Sequence, residues 1–328
     1  MAYKVKQDYT FTYERQAAYG TAIDTAPVGI PTEDMTFKQE PNVHRFMRAM
    51  GTRGIKEENA WNDTFGVFPT ASVSMRMTPQ LMSEMLPGIL QDSTDYETDV
   101  GVWTMFTNNH ADLPLLSDDE GYFYTITRNS PEVLNDEYIT DAVPSSLKLT
   151  VDPTANDGVL VGDFEFFGSA YTRGVTVAGV ITNAPLTEQY QWGEIAAVSF
   201  DSNDILSDFI SCEFNITNGA KHASDLPTGE VVFHKWEVTG QLKILAGSTT
   251  EAMKTLVLSS AVSTGKELVV SFGDGTVSSA GEMDITSFCL LTNWESDYEE
   301  GEVITFDFEG VFGGAGEYPF EVSFFIPV

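Results

Sequence analysis

Along most of this chain apolar and polar residues alternate one for one. Trp236-Glu237-Val238-Thr239-Gly240-Gln241-Leu242-Lys243-Ile244 is the longest clear run, and Leu268-Val269-Val270-Ser271-Phe272 is another. Neighbouring side chains on a strand point to opposite faces of a sheet, so this period belongs to half-buried β-strands. Turn signals separate the runs, at Asn156-Asp157-Gly158, Asn218-Gly219 and Gly273-Asp274-Gly275. No apolar stretch approaches the ~18 residues of a membrane span.

Two segments follow a helical period instead. Leu81, Met82, Met85, Leu86, Ile89 and Leu90 share one face, as do Ala252, Met253, Leu256, Val257 and Ala261. Thr78-Pro79 predicts the first helix start, with a cap followed by proline at the first position. Pro87-Gly88 predicts a kink or an early end. Ser248-Thr249-Thr250-Glu251 reads as a capping box for the second helix.

These two regions look like copies. At a shift of 171, Phe65, Val67, Pro69, Ala71, Val73 and Met75 fall on Trp236, Val238, Gly240, Leu242, Ile244 and Ala246. At a shift of 144, Tyr124 and Ile126 fall on Leu268 and Val270, and Asp163-Phe164-Glu165 on Asp307-Phe308-Glu309. Met35 and Phe37 pair with Cys212 and Phe214. The change of shift places an insertion near residues 91–120, which holds the acidic run Asp118-Asp119-Glu120. Each copy reads strand, long loop (about 40–62, then 218–231), strand, short helix and three strands. The expectation is a mainly β protein of two tandem sandwich or barrel domains, each with a short flanking α-helix. They span residues 1–180 and 209–328, with 181–208 as a linker.

Charge narrows the partners. The 328 residues carry 49 acids against 17 bases, a net charge of -32. Phosphate binding needs Lys and Arg, so this surface repels nucleic acid. Two origins fit, a channel wall that must not hold passing DNA and a high-salt source in which screening makes an acidic coat tolerable. Only ten lysines fits the second. The first residues, Met1-Ala2-Tyr3-Lys4-Val5-Lys6-Gln7-Asp8, lack the apolar core of a signal peptide. Cys212 and Cys289 have no metal spacing and read as small buried hydrophobes, with a disulfide as the alternative.

Three blocks, taken in order, resemble the tail tube (major tail) proteins of long-tailed, siphovirus-like phages. The first is Tyr13-Glu14-Arg15-Gln16-Ala17-Ala18-Tyr19-Gly20-Thr21, followed by Ala26-Pro27-Val28-Gly29-Ile30-Pro31 and Met35-Thr36-Phe37. The second is residues 68–90, a strand feeding an amphipathic helix. The third is residues 142–168, with Pro144-Ser145-Ser146-Leu147-Lys148-Leu149. The resemblance implies a virion structural protein, made in the host cytoplasm, that stacks in rings around a DNA channel. It implies no enzyme activity, no cofactor and no membrane contact. The implied partners are copies of itself, a tape-measure protein, tail-end proteins, and viral DNA passing without specific binding. Single-domain tube proteins form six-membered rings, so a duplicated chain is expected to form a pseudo-sixfold trimer in preference to a hexamer. Two other readings stay open. One is a β-sandwich adhesion or carbohydrate-binding module of a tail tip or cell surface. The other is a baseplate or hub component on the same fold.

Arg45, Arg48, Arg53 and Lys56, with Phe46, Met47 and Met50, form a basic and apolar loop in an acidic chain. They are the candidate subunit-interface residues, because such a loop suits an acidic neighbouring copy. The bland alternative is a solvated loop balancing Glu57 and Glu58. His44, His110, His222 and His234 show no ligand spacing, and Asp297-Tyr298-Glu299-Glu300 lacks the pattern of a Ca²⁺ loop. No nucleophile elbow or P-loop occurs, and Gly313-Gly314-Ala315-Gly316 is too isolated to cradle a phosphate. Phe164, Phe166, Phe167, Phe306, Phe308, Phe312, Phe320, Phe324 and Phe325 crowd late strands. Where they are consecutive, both strand faces need cover, which a subunit interface would supply.

Overall fold

A computed structural model describes residues 10–16, 20, 27–30, 35–39, 43–45, 48–49, 55–56, 60–62, 69–90, 102–106, 123–129, 136–175, 182–183, 190–222, 231–232, 236–258, 265–273, 282–297, 302–313 and 317–325. The chain is mainly β, and the principal strands form one large antiparallel sheet system.

Seven strands make up the first half: β1 (Thr10–Arg15), β2 (Met35–Gln39), β3 (Pro69–Arg76), β4 (Tyr124–Asn129), β5 (Asp136–Val151), β6 (Val161–Phe167) and β7 (Ala170–Val175). Seven make up the second: β8 (Ile195–Phe200), β9 (Phe209–Thr217), β10 (Glu237–Leu245), β11 (Lys266–Phe272), β12 (Met283–Asp297), β13 (Val303–Gly310) and β14 (Glu321–Phe325). Helix α1 (Pro79–Leu90) follows β3, and α2 (Ser248–Leu258) follows β10.

The pairing pattern repeats. In the first half β1 pairs β4, β4 pairs β5, β5 pairs β6 and β7, β6 pairs β3, and β3 pairs β2. In the second half β8 pairs β11, β11 pairs β12, β12 pairs β13 and β14, β13 pairs β10, and β10 pairs β9. Bulges recur too, between Pro144 and Ser146 in β5 and between Leu291 and Asn293 in β12. The helices start 169 positions apart, at Pro79 and Ser248, and Phe164 faces Val73 as Phe306 faces Leu242. The shift of 171 read from the sequence is therefore two residues long for strand and helix, and so is the shift of 144 at Asp163-Phe164-Glu165, where Phe164 answers to Phe306 and not to Phe308. Two is the period of the pattern, so parity survives the slip. Met35 and Phe37 do correspond to Cys212 and Phe214, because their cross-strand partners are Val73 and Ala71 in one half and Leu242 and Gly240 in the other.

Residues 181–208, expected as a linker, include β8, which runs along β11 as β1 runs along β4. Within the expected insertion, Val102–Phe106 forms a strand on the outer edge of β14, so this part of the first half completes a sheet of the second. The acidic run Asp118-Asp119-Glu120 lies outside the described residues.

The long strand β5 serves two sheets. Its first part lies between β4 and β7, and its second between β6 and β9. The switch occurs at Asp141, which takes φ 53, a region that Asp tolerates better than most residues. Its carboxylate accepts hydrogen bonds from Gly20 N–H at 2.6 Å and from the Ser169 hydroxyl, and its own N–H donates to Gln16 Oε1 at 3.2 Å. Gln16 and Gly20 of the N-terminal block thus hold the corner. Burial pushes the Asp141 carboxyl up from its ordinary range, against the opposing pull of those hydrogen bonds.

The apolar face of helix α1 is sealed, with Leu81, Met82, Met85, Leu86 and Ile89 at 0% exposure. Thr78 Oγ1 accepts Leu81 N–H at 3.2 Å, as its cap position predicts. The helix continues through Pro87 to Leu90 instead of ending there. Gly88 lies so close to Tyr124 that a Cβ would sit 2.6 Å from the ring, and Asn218 Nδ2 donates to the Ile89 carbonyl at 3.2 Å. These contacts hold the last turn where proline withdraws a donor. At α2 the capping bond starts one residue earlier than expected. Thr250 Oγ1 accepts Gly247 N–H at 2.8 Å and donates to the Gly247 carbonyl at 2.6 Å.

One hydrophobic cluster runs through both halves. Phe214 packs edge-on to Phe308 and Phe320, with centroids 5.6 and 5.8 Å away. Of the consecutive aromatics, Phe166 is buried, and half-buried Phe167 packs beside Phe123, Val143 and Ala220. The second face at Phe167 is therefore covered within the chain.

Candidate assembly surface

The two halves are joined by strand pairing. β9 lies antiparallel beside the second part of β5, from Ser146 opposite Thr217 to Val151 opposite Cys212. Asn218, fully buried, locks this seam. Its Nδ2 also donates to the Pro144 carbonyl at 2.7 Å, and its N–H donates to the Ser145 carbonyl at 3.1 Å. In the sequence Asn218 shows only as a turn signal, because its partners lie 74 and 129 positions away.

The seam creates a continuous run of strands in the order β2, β3, β6, β5, β9, β10, β13, β12. Each half supplies four of these eight. Among the described residues, the outer edge of β2 and the Asn293–Asp297 part of β12 have a strand on one side only. Among the described residues the two ends of the run are thus open edges, of the kind that proteins cover or use.

One face of the run is packed on the core and the other is polar. The polar face of the first half carries Asp163 and Glu165 with Lys38, Arg76 and Lys148; the second half adds Glu213, Glu237, Glu295, Asp297, Asp307 and Glu309 with Lys243. Eight acids against four bases leave this face negative. Cross-strand bonds hold several of them. Lys148 Nζ is 2.6 Å from Glu213, Gln241 Nε2 donates to Asp307 at 2.9 Å, and Asn293 Nδ2 donates to the same carboxylate at 3.2 Å. Burial alone pushes the Glu213 carboxyl up. Hydrogen bonds from Lys148 and Asn215 and the charges of Lys148 and Lys243 outweigh it and hold the pKa below its ordinary value. The stability this gives is present above the ordinary carboxylate pKa and is lost as pH falls through the lowered one.

Both long loops leave the run at the same end. β2 closes at Gln39 opposite Pro69, and β9 closes at Thr217 opposite Glu237, with Thr217 also opposite Ser146. Of the candidate interface residues, Arg45 ends a short strand opposite Ala60, and Arg48 stands opposite Lys56 in a second short pair. Two of the four basic residues are thereby brought together on adjoining strands. Phe46 and Arg53 lie outside the described residues, as do Met47 and Met50.

Cys212 on β9 and Cys289 on β12 are free and buried. Burial pushes both thiols up, Cys289 to about 12. At pH 8 such a thiol is ionised in roughly one molecule in ten thousand. Neither cysteine is therefore expected to react with an aromatic disulfide reagent until denaturant is added, when both should titrate; prompt reaction in the native protein would contradict the packing. Among the described residues no three His, Cys, Asp or Glu side chains converge as a metal site.

No protein-family model matches the chain, and no curated protein matches it.

Proposed function

We propose that the chain is the repeating unit of a viral tail tube, self-assembling head to tail into rings that stack around a channel for DNA. The observation that carries this reading is the seam. One chain holds two copies of a strand-pairing pattern already joined edge to edge, and it leaves the same two kinds of edge open at the ends. An interface of this sort is heterologous, and it closes into a ring when the rotation per step permits.

Six repeats in a ring correspond to three chains and twenty-four strands. At ~4.8 Å per strand and a tilt of about 40°, the barrel is roughly 50 Å across between backbones. That leaves space for a DNA duplex inside the side chains. The polar face of the run lines the channel, since the opposite face is packed on the core. Its surplus of acids repels phosphate and keeps DNA from adhering. The loop that follows β2, which carries the candidate residues Arg45, Arg48, Arg53 and Lys56, supplies the contact to the next ring. A tape-measure protein before DNA, and end proteins at the tips, are the further partners of such a tube.

A net charge of -32 opposes association at low ionic strength. At Glu321, burial and then the charges of Glu267 and Asp284 push the carboxyl up, a local sign of the same repulsion. The Debye length shrinks from ~10 Å at 0.1 M salt to ~3 Å at 1 M. Sedimentation velocity across a salt series is therefore expected to show single 36.0 kDa chains at low salt and trimers or their stacks at multimolar salt. Single chains at every salt concentration would overturn the reading.

A further inference from the structure

We infer that β12 of one chain pairs antiparallel with β2 of the next in the register that sets Glu295 opposite Lys38. This deepens the ring reading and rests on it, and the seam inside the chain is the template. The recurrent bulges make Ser146 equivalent to Asn293, so Leu147, Lys148 and Leu149 correspond to Trp294, Glu295 and Ser296. The cross-strand partners make Phe214 equivalent to Phe37 and Asn215 to Lys38. Inside the chain Lys148 faces Asn215, Leu149 faces Phe214 and Leu147 faces Ile216. Carried to the open edges, Glu295 faces Lys38, Ser296 faces Phe37 and Trp294 faces Gln39.

Two independent features fit this register. On the polar face, Lys38 belongs to β2 at one end of the run, and Glu295 and Asp297 belong to β12 at the other; all three are exposed. The register joins opposite charges, with Asp297 one diagonal step from Lys38, much as Lys148 and Glu213 pair within the chain. On the core face, Phe37 and Trp294 are both left half-buried in the single chain. The register brings them to diagonal positions, within reach of aromatic side chains. A slip of one residue would set Lys38 against the core face and turn Phe37 outward.

Glu295→Cys and Lys38→Cys in the same chain test the register, with a short bismaleimide added after assembly at multimolar salt. Both positions are exposed, so neither cysteine displaces a core side chain. The denaturing gel is expected to lose its monomer band to a ladder of linked chains. Either single variant should stay monomeric, because each junction then holds one reactive thiol. Sedimenting rings with the monomer band intact would overturn the register while leaving the tube reading in place. Absence of rings in the unsubstituted protein at every salt concentration would overturn both.

Discussion

Replacing Gly240 with alanine is expected to cost about 3 kcal/mol of stability, enough to lower the unfolding midpoint sharply. Gly240 lies on β10, and its partner Phe308 on β13 lays its ring across the position. A Cβ there would overlap both the Glu213 carbonyl oxygen and Phe308 Cζ, with Phe308 Cε1 at 2.7 Å. One obstacle is backbone and the other is a core ring, so neither can yield cheaply. Gly193 is the control, because nothing lies within 4 Å of its added Cβ. Alanine there should change stability by no more than about 1 kcal/mol. Urea unfolding of the two variants at fixed salt checks the pair. Equal midpoints would contradict the packing of β10 against β9 and β13.

Phenylalanines at equivalent positions of the two halves are expected to differ in what their deletion costs. Phe214 is fully buried at the seam, between Phe308 and Phe320. Phe214→Ala should cost about 3–5 kcal/mol in the isolated chain. Phe37 sits on the open edge, half-buried, with Arg128 5.6 Å from its ring centroid. Phe37→Ala should cost only about 1 kcal/mol in the isolated chain. Its larger effect should fall on association, because in the proposed ring the next chain would cover Phe37 as β9's neighbour β5 covers Phe214 within the chain. Low-salt urea melts read the first effect, and sedimentation at high salt reads the second. A Phe37→Ala chain that assembled as well as the parent would argue that β2 does not meet another copy.

Much of this was legible in the sequence. Alternation located β10 and β11, and the helical stripes with Thr78 located α1. The repeated order of elements was visible in the alternation and the two helical stripes. Its register was not, since a pattern of period two matches equally well after a slip of two; only the cross-strand partners and the matched bulges fix 169. The double duty of β5 was hidden because nothing local in Asp141-Ala142-Val143-Pro144 says that a strand will change sheets. The stretch at 195–200 passed as linker because Ile195-Ala196-Ala197-Val198 alternates weakly. Parity can sort acids into those sharing a face, but not say which face meets solvent. Asp163, Glu213, Glu295 and Asp307 therefore emerged as one polar surface only once the strands were placed side by side. The basic loop was read from composition alone, and the structure adds the pairing of Arg48 with Lys56.

The most direct test is electron microscopy of the purified protein at low and at multimolar salt. Dispersed particles are expected at low salt. At high salt the expected result is stacked rings or striated hollow tubes whose end views average to threefold symmetry with a sixfold outline. Dispersed single particles in both conditions would contradict the proposal that the chain builds a tube.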